Sequence, residues 1–411
     1  MKRSSDCRAP DPIRSPGAAA RLGDFVTGER RGAIWQDMDE TRPLRRGWTT
    51  GTCATAAAKA AYHALVAGDF PDPVTVTLPG GQTPAFVLAK HETGGGYARA
   101  GVVKDAGDDP DVTHGALVVA TARSGAPGSG IAFRAGAGVG TVTKPGLPIP
   151  AGEPAINPVP RRMIATAIAE VCAETGASGD VEIEISIPGG EKLAERTLNG
   201  RLGIVGGLSV LGTTGIVVPY SCAAWIASIH RGIDVARATG LDHVAGATGD
   251  TSEKAVRKMH GLSEAALLDM GDFVGGTLKY LRTHPVPKVT IAGGIAKMTK
   301  LAQGFLDLHS KRGSVDLEAL AEVAVGQGGS EALRGKIAAA NTTPAAFGEA
   351  EAEGIRLGDA VAAAAWETAA HVVGGTDMLL EIAVFDRHGN LVGHAPFAPV
   401  HDAPRDRKRR R

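Results

Sequence analysis

From about residue 236 onward, the sequence repeats a pattern of a short apolar run, a glycine turn and a helical stretch. The apolar runs are 243–245, 266–268 and 288–291, and the turns that follow them contain Gly249, Gly271 and Gly293–Gly294. A crossover helix returns the chain to the same edge of a sheet, so successive strands in such a pattern run parallel. The pattern therefore predicts a Rossmann-like parallel α/β domain over residues 236–400, closed by a hairpin at 386–390.

Residues 42–235 predict a different kind of domain, of mixed α+β structure. Its expected helices cover 54–66, 161–175 and 221–230, and its expected strands cover 74–78, 85–90, 98–104, 116–122, 138–143 and 181–187. The run 181–187 alternates apolar and polar residues, which is typical of a half-buried strand. Residues 1–41 have no such periodicity and predict a disordered extension, and residues 401–411 form a basic tail.

Composition excludes several classes of function. Lysine plus arginine equal aspartate plus glutamate at 44 each, so a general nucleic-acid or anionic-membrane binder is not expected. The four cysteines lack disulfide or zinc spacing, and no apolar run approaches the roughly 20 residues that span a bilayer. The sequence therefore predicts a cytoplasmic protein that acts on a small molecule.

The segment 104–115 is the strongest candidate for chemistry. It holds four aspartates, a lysine and a histidine between two expected strands, and its glycines and proline prevent a helix. A solvated acidic turn is the alternative interpretation. If the segment is catalytic, the candidate bases are Asp108, Asp109, Asp111 and His114.

Several expected helix starts are rich in glycine and threonine. Free backbone N–H groups at a helix start favour anions, although ordinary capping explains each start taken singly. A ligand with many carboxylates would suit the whole set, because arginine grips carboxylates with two hydrogen bonds. The predicted substrate-binding residues are Thr49, Thr50, Lys104, Thr113, Arg161, Arg162, Thr213 and Thr214.

The turns after the parallel strands predict a second site, because ligands of open parallel sheets bind beyond the carboxyl ends of the strands. The predicted cofactor-binding residues are Thr248, Gly249, Asp250, Gly271, Asp272, Gly293 and Gly294. Asp272 is expected to accept hydrogen bonds from ribose hydroxyls. Glycines needed only for close packing are the alternative, and the absence of a P-loop lysine argues against a nucleoside triphosphatase. The histidines lack ligand spacing, so no protein-bound metal is expected.

Five ordered blocks resemble the cobalt-precorrin-5B C1-methyltransferase family, CbiD. They are 46–54 (RGWTTGTCA), 104–115, 138–147 (GVGTVTKPGL), 156–164 (INPVPRRMI) and 211–217 (LGTTGIV). The resemblance implies that S-adenosylmethionine methylates ring carbon C1 of a tetrapyrrole, giving cobalt-precorrin-6A, with the cobalt carried by the substrate. It leaves open a homo-oligomer and a transient transfer of intermediates to neighbouring pathway enzymes.

The residues themselves leave the choice of base open, since an electron-rich ring carbon needs mainly positioning and the loss of a proton. A non-catalytic protein that binds corrinoid intermediates would also use the anion sites, but it would leave the adenosine-like turns without a role. A phosphoryl-transfer enzyme is a weaker alternative, because no magnesium-binding pair accompanies the glycine turns.

Overall fold

The computed structural model describes residues 43–400. The predicted extension at 1–41 and the basic tail at 401–411 lie outside the described residues. The helices are α1 (Thr50–Ala67), α2 (Pro158–Thr175), α3 (Gly190–Ala194), α4 (Cys222–Ala238), α5 (Asp250–His260), α6 (Val274–Thr283), α7 (Ile295–Ala302), α8 (Leu317–Gly326), α9 (Glu331–Ala338), α10 (Thr343–Ala352) and α11 (Leu357–Val373).

The strands in the first half are β1 (Gly47–Trp48), β2 (Val74–Thr75), β3 (Ala85–Phe86), β4 (Lys90–Gly94), β5 (Tyr97–Val103), β6 (Leu117–Ser124), β7 (Ile131–Ala135), β8 (Gly138–Val139), β9 (Thr141–Val142), β10 (Val181–Ser186), β11 (Ile204–Val205), β12 (Gly207–Leu208) and β13 (Ile216–Val217). Those in the second half are β14 (His243–Ala247), β15 (Leu267–Asp269), β16 (Lys288–Gly294), β17 (Leu379–Phe385) and β18 (Leu391–Pro399).

The first sheet has the order β4-β5-β6-β10-β7, and α1 and α2 cover one of its faces. Strand β10 shows why the helices cover only one face. Its residues Val181, Ile183 and Ile185 are fully buried on that face, while the glutamates between them are half-buried. The alanines of α1 allow the helix to lie close to β5, β6 and α2 because they have short side chains. The result is one core of small aliphatic residues around Tyr62.

The second sheet has the order β15-β14-β16-β17-β18. Strands β15, β14, β16 and β17 are parallel, as predicted, and β18 is an antiparallel edge strand that pairs with β17. Helix α5 packs on one face, and α6, α7 and α11 form the core on the other. The mixed α/β class predicted from the sequence is therefore confirmed.

Some predicted elements are shorter than expected. The run 74–78 is a strand only at β2, and 85–90 divides into β3 and the start of β4. The run 138–143 divides at Gly140, where an added Cβ would lie 2.5 Å from Ile204 Cγ2. That close contact lets β8 pair with β12 while β9 pairs with β11. The stretch 315–373 is four separate helices, α8 to α11.

Helix α4 is longer than the predicted 221–230, and the expected domain boundary at residue 235 falls inside it. Its Ser221 cap accepts a hydrogen bond from the backbone N–H of Ala224. Gly146, in the first half of the chain, contacts the carbonyl end of this helix so closely that an added Cβ would lie 2.6 Å from Asp234 O. Helix α4 therefore touches both halves of the described chain. Within residues 43–400, no helix combines the length and apolar character that crossing a bilayer requires.

Candidate functional site

The acidic segment 104–115 is held against the chain that precedes α1. Trp48 N donates to Asp105 O at 2.7 Å, and Asp108 N donates to Arg45 O at 3.0 Å. A Cβ on Gly47 would lie 2.0 Å from the carbonyl carbon of Ala106, so only glycine permits this contact. The loop thus has a fixed backbone position.

Two of the loop aspartates are bound by Arg45. Its guanidinium forms a two-hydrogen-bond pair with the Asp105 carboxylate, and its backbone N–H donates to Asp108 Oδ2 at 2.7 Å. The hydrogen bond from Arg45, helped by one from Gly107 N, lowers the pKa of Asp105 to about 2. Both carboxylates therefore already have hydrogen-bond partners within the protein.

Lys104 and Asp111 form a buried ion pair. Lys104 is 2% exposed, and its ammonium donates to the Asp111 carboxylate and to Thr113 Oγ1. Asp111 Oδ1 also accepts from Thr113 N at 2.7 Å and Thr113 Oγ1 at 2.6 Å. Burial opposes ionisation of Asp111, but the Lys104 charge and these hydrogen bonds outweigh it and lower its pKa. The expectation that Lys104 and Thr113 bind substrate does not fit this geometry, because both are buried and already paired.

Asp109 has a different environment. It is half-buried, and its Oδ1 accepts a hydrogen bond from the backbone N–H of Tyr220 at 2.8 Å. Burial raises the pKa of Asp109 above the usual carboxyl range, and the nearby Asp111 charge adds to the effect. A carboxylate with a raised pKa holds a proton more readily, which suits a general base. The raised pKa of Asp109 contrasts with the lowered pKa of Asp111 in the same loop.

His114 faces the other side of the loop. Its Nδ1 accepts from Ala106 N at 3.1 Å and lies 3.8 Å from Asp105 Oδ1. The accepting Nδ1 places the proton of the neutral ring on Nε2. The imidazole is exposed and lies beside the Asp105 carboxylate.

The start of α1 is closed by its own capping contacts. Thr49 Oγ1 accepts from Thr52 N at 3.2 Å, and Gly51 N donates to Leu211 O at 3.0 Å. Thr49 and Thr50 are buried, which does not fit the expectation that they bind substrate. Thr213 and Thr214, in the loop that packs against this helix start, are exposed, but the Thr214 hydroxyl donates to Ile216 O at 3.1 Å and accepts from Ile216 N at 3.2 Å.

The two arginines at the start of α2 also differ in exposure and in their partners. Arg161 donates to Ile156 O at 2.9 Å and to Glu153 at 3.1 Å, and it lies over the Phe133 ring. Arg162 is exposed and forms no ion pair within the described ranges. Arg162 is therefore the better candidate for a substrate carboxylate.

The predicted cofactor residues meet at the carboxyl ends of β14, β15 and β16. The strand order reverses between β14 and β16, and ligands of open parallel sheets bind in the crevice expected at such a point. Thr248 N donates to Ala292 O at 2.9 Å, and a Cβ on Gly293 would lie 2.9 Å from the Thr248 side chain. Gly249 and Gly294 precede the first residues of α5 and α7, and Asp250 pairs with Lys254.

Sequence reasoning missed Lys297 at this crevice. Its ammonium donates to Thr248 O at 2.8 Å and lies 3.0 Å from Asp272 Oδ1. The latter contact is an ion pair without hydrogen-bond alignment, since Asp272 Oδ1 is buried and has no aligned donor. Asp272 is thus already paired with a cation. The sequence places Lys297 in the first turn of the helix that follows Gly293–Gly294, and this position could have identified it as a residue of the predicted site.

Trp225 was also missed. Its Nε1 donates to Asp269 O at 2.9 Å, at the end of β15, and its ring is the nearest group to a Cβ built on Gly271, at 3.5 Å. The residue is 41% exposed, and the Phe273 ring centroid lies 6.2 Å away. An exposed indole beside a glycine turn offers a flat apolar face to a ligand ring.

The segment 220–225, at the start of α4, contacts both predicted sites. Tyr220 N contacts Asp109 in the acidic loop, and Trp225 contacts the end of β15. Leu211 and Val218 are exposed apolar residues of the stretch that leads into this helix. The acidic loop and the end of β15 are therefore joined by one short stretch of chain.

The chain matches a family model described as CbiD over residues 37–219 and another described as CbiD, C-terminal domain, over residues 307–396. It is 63% identical over 373 residues to a cobalt-precorrin-5B C(1)-methyltransferase of Agrobacterium fabrum, an alignment that covers 90% of this chain and 98% of the relative. The protein of the same description from Methylorubrum extorquens is 62% identical, with 86% and 98% covered. A 1.9 Å crystal structure of a cobalamin biosynthesis protein (cbiD) from Archaeoglobus fulgidus matches with 30% identity and a TM-score of 0.35, covering 61% of this chain and 77% of that one.

Proposed function

This chain belongs to the CbiD family, and on that premise we propose that it methylates carbon C1 of cobalt-precorrin-5B in cobalamin biosynthesis. One observation carries the link between family and structure: the segment 220–225, at the start of α4, contacts Asp109 through Tyr220 N and the end of β15 through Trp225. A methyl donor in the strand-end crevice would therefore lie beside a base at the acidic loop. Carbon alkylation needs that proximity more than it needs any covalent enzyme intermediate.

S-adenosylmethionine is the proposed donor, bound in the crevice between β14 and β16. The residues there fit such a ligand. Trp225 supplies an exposed ring beside Gly271, and the helix start at Gly249, where an added Cβ would meet no atom within 4 Å, supplies N–H groups. The sulfonium supplies an electrophilic methyl group when it is bound. This assignment corresponds to a Rossmann-like second domain over 236–400 that follows a mixed α+β domain over 42–235.

The substrate is proposed to bind on the loop side of α4. Arg162 is exposed and can pair with a ring carboxylate, while the exposed Thr213 can donate a hydroxyl hydrogen bond. Leu211 and Val218 offer apolar contact to the macrocycle. The cobalt enters with the substrate and is not a resident cofactor of the chain. Transfer of the product to a neighbouring enzyme, and any homo-oligomer, remain parts of this proposal.

Asp109 is the proposed base. As the new C–C bond forms at C1 and the C–S bond of the donor breaks, the donor leaves as a neutral thioether. The macrocycle must then lose one proton, and Asp109 is the loop carboxylate whose environment favours accepting it. Tyr220 N–H holds the acceptor oxygen in place. Lys104 and Asp111 fix the loop from inside.

The direct test is an anaerobic incubation of the full chain with cobalt-precorrin-5B and S-adenosylmethionine carrying a ¹³C-labelled methyl group. NMR of the product should show the label on C1, together with one S-adenosylhomocysteine per turnover. A label at another ring carbon, or no transfer with a chain that binds both ligands, would contradict the proposal.

Donor binding can be tested separately by calorimetry with S-adenosylhomocysteine. Trp225→Ala should weaken binding by about tenfold or more, since stacking of a base on an aromatic ring contributes roughly 1–3 kcal/mol. Trp366→Phe is the control, because Trp366 donates to Leu380 O on the α11 side of the sheet. Saturable binding in neither the parent nor the control would instead indicate a carrier of corrinoid intermediates.

A further inference from the structure

A cluster of histidines around one buried carboxylate lies apart from both ligand regions. Glu381, the third residue of β17, is 2% exposed. His260 Nε2 contacts its Oε2 at 2.7 Å, and His394 Nε2 contacts its Oε1 at 2.9 Å. His243 lies beside them. One ring nitrogen of His243, one of His260 and one carboxylate oxygen of Glu381 all fall within 4.8 Å of one another.

The fold brings these residues together from four elements. His243 begins β14, Glu381 and His394 lie on the paired strands β17 and β18, and His260 is the last residue of α5. These residues are up to 151 positions apart in the chain, so local ligand spacing in the sequence could not reveal the cluster. The cluster is near the amino ends of the parallel strands, whereas the crevice is at their carboxyl ends.

Charge requires a cation here. A carboxylate removed from water is costly unless a positive charge compensates it. Within residues 43–400, neither lysine nor arginine pairs with Glu381; its ion-pair partners are the two histidines. A metal ion bound between the imidazoles would supply a positive charge beside this carboxylate and beside the negative end of the α5 helix dipole.

We propose that His243, His260 and Glu381 bind a divalent transition-metal ion, with zinc the best match to this set of two imidazoles and one carboxylate. Zinc held by such ligands at 2.0–2.2 Å places the ligand atoms about 3.3 Å apart, so small side-chain shifts bring the observed atoms into range. The ion takes the place of the proton between His260 and Glu381. A water molecule fills the fourth position.

The surrounding residues match the outer shell of a metal site. Thr290 Oγ1 donates to Glu381 Oε2 at 2.6 Å, and His394 holds the other carboxylate oxygen, which together fix its orientation. The Phe397 ring lies 5.2 Å from the His243 ring and 5.7 Å from the His260 ring and limits water access. His260 and His394 are half-buried, which leaves a path from solvent.

The ion would fasten the end of α5 to the sheet. The other end of the same helix begins at Asp250, directly after the Thr248–Gly249 turn. Eleven residues span about 16 Å, so the metal would not touch a ligand in the crevice but would fix the helix that shapes it. Its role is structural.

The test uses the full chain with any affinity tag removed, stripped with a chelator and titrated with zinc chloride against a chromophoric competitor. One ion per chain should bind, and cobalt(II) in its place should give the strong visible absorption of a tetrahedral site. His260→Gln keeps a donor toward Glu381 but removes the ligand, and it should weaken binding by about 100-fold or more, beyond the 10–100-fold typical of outer-shell changes. His388→Ala, in the exposed hairpin turn, is the matched control and should bind as the parent does.

His243→Gln provides a second variant should His260→Gln fold poorly, with circular dichroism as the check on folding. Zinc should raise the melting temperature of the parent and of His388→Ala but of neither ligand variant. Substoichiometric binding by the parent, or equal affinity in the parent and both ligand variants, would overturn the proposal and leave a hydrogen-bonded cluster without metal.

Discussion

At the scale of single residues, the acidic loop shows how four similar side chains acquire different properties. Asp105 and Asp108 are bound by Arg45, and Asp111 is bound by Lys104. Asp109 faces a backbone N–H and a partly desolvated surrounding, so its pKa moves in the opposite direction to that of Asp111. The sequence could show that the loop was unusual, but it could not rank its members, because the ranking depends on distant residues such as Tyr220.

Asp109→Asn should reduce single-turnover methylation by about 100-fold or more, the usual contribution of a general base. Its melting temperature at neutral pH should equal or exceed that of the parent. A folded-state pKa above the unfolded value means that ionisation opposes folding, and the amide removes that charge. Anaerobic rapid-quench kinetics and calorimetry measure the two effects. Asp108→Asn is the matched control, and a similar loss of turnover in it would remove the case for Asp109.

Asp111→Asn should instead unfold more easily, by about 3–5 kcal/mol, because it leaves the Lys104 ammonium buried without a counter-charge. Equilibrium urea unfolding measures the change. The double variant Lys104→Met, Asp111→Leu should recover most of the lost stability, since an apolar pair needs no compensation. Unchanged unfolding in Asp111→Asn would mean that the pair is not desolvated as described.

At the scale of elements, local sequence patterns predicted the strands whose positions depend on the periodicity of apolar residues. The strand–turn–helix repeat gave β14, β15 and β16, and the alternation at 181–187 gave β10, because periodicity reports which face is buried. The division of 138–143 at Gly140 depends on Ile204, and the length of α4 depends on contacts from both halves of the chain. Lys297 and Trp225 gain their roles from neighbouring strand ends. Such features require the tertiary structure.

The loop that packs on α1 offers a test at this scale. Gly212 has φ +135°, and an added Cβ would lie 2.3 Å from Thr49 Oγ1. Gly212→Ala should displace the loop and lower kcat/KM for the corrinoid by about 100-fold, the order of effect of a 1 Å misplacement. Binding of S-adenosylhomocysteine should be unchanged. Gly240→Ala shares a positive φ of +72° but meets no atom within 4 Å, so comparison of the two separates the clash from backbone strain.

At the scale of the whole molecule, three contacts join elements that border the two proposed ligand regions. Arg201 grips Glu253 in the first turn of α5 with two hydrogen bonds, at 2.6 and 2.9 Å. Gly146 packs on α4, and Tyr220 reaches Asp109. Both ligand regions therefore depend on the same set of contacts, and loss of the fold should abolish both together.

The acid stability of the molecule should follow the lowered pKa values of Asp105 and Asp111. A carboxyl whose folded pKa lies below its unfolded value stabilises the fold above the unfolded value, and that contribution is lost as the pH falls through the folded value. For Asp105 the window runs from 3.8 down to about 2. Urea midpoints measured across this range should fall with pH, and Arg45→Gln should flatten the curve. A parent and variant with parallel curves would contradict the expectation.

The partner of Asp109 is a main-chain amide, and this has an evolutionary consequence. Residue 220 has a φ of +56°, so glycine or asparagine would adopt the same conformation at least as readily as tyrosine. Most exchanges at that position would preserve the N–H that holds the carboxylate. Proline would delete the donor and cannot adopt a positive φ, so natural sequence variation at this position should exclude that amino acid.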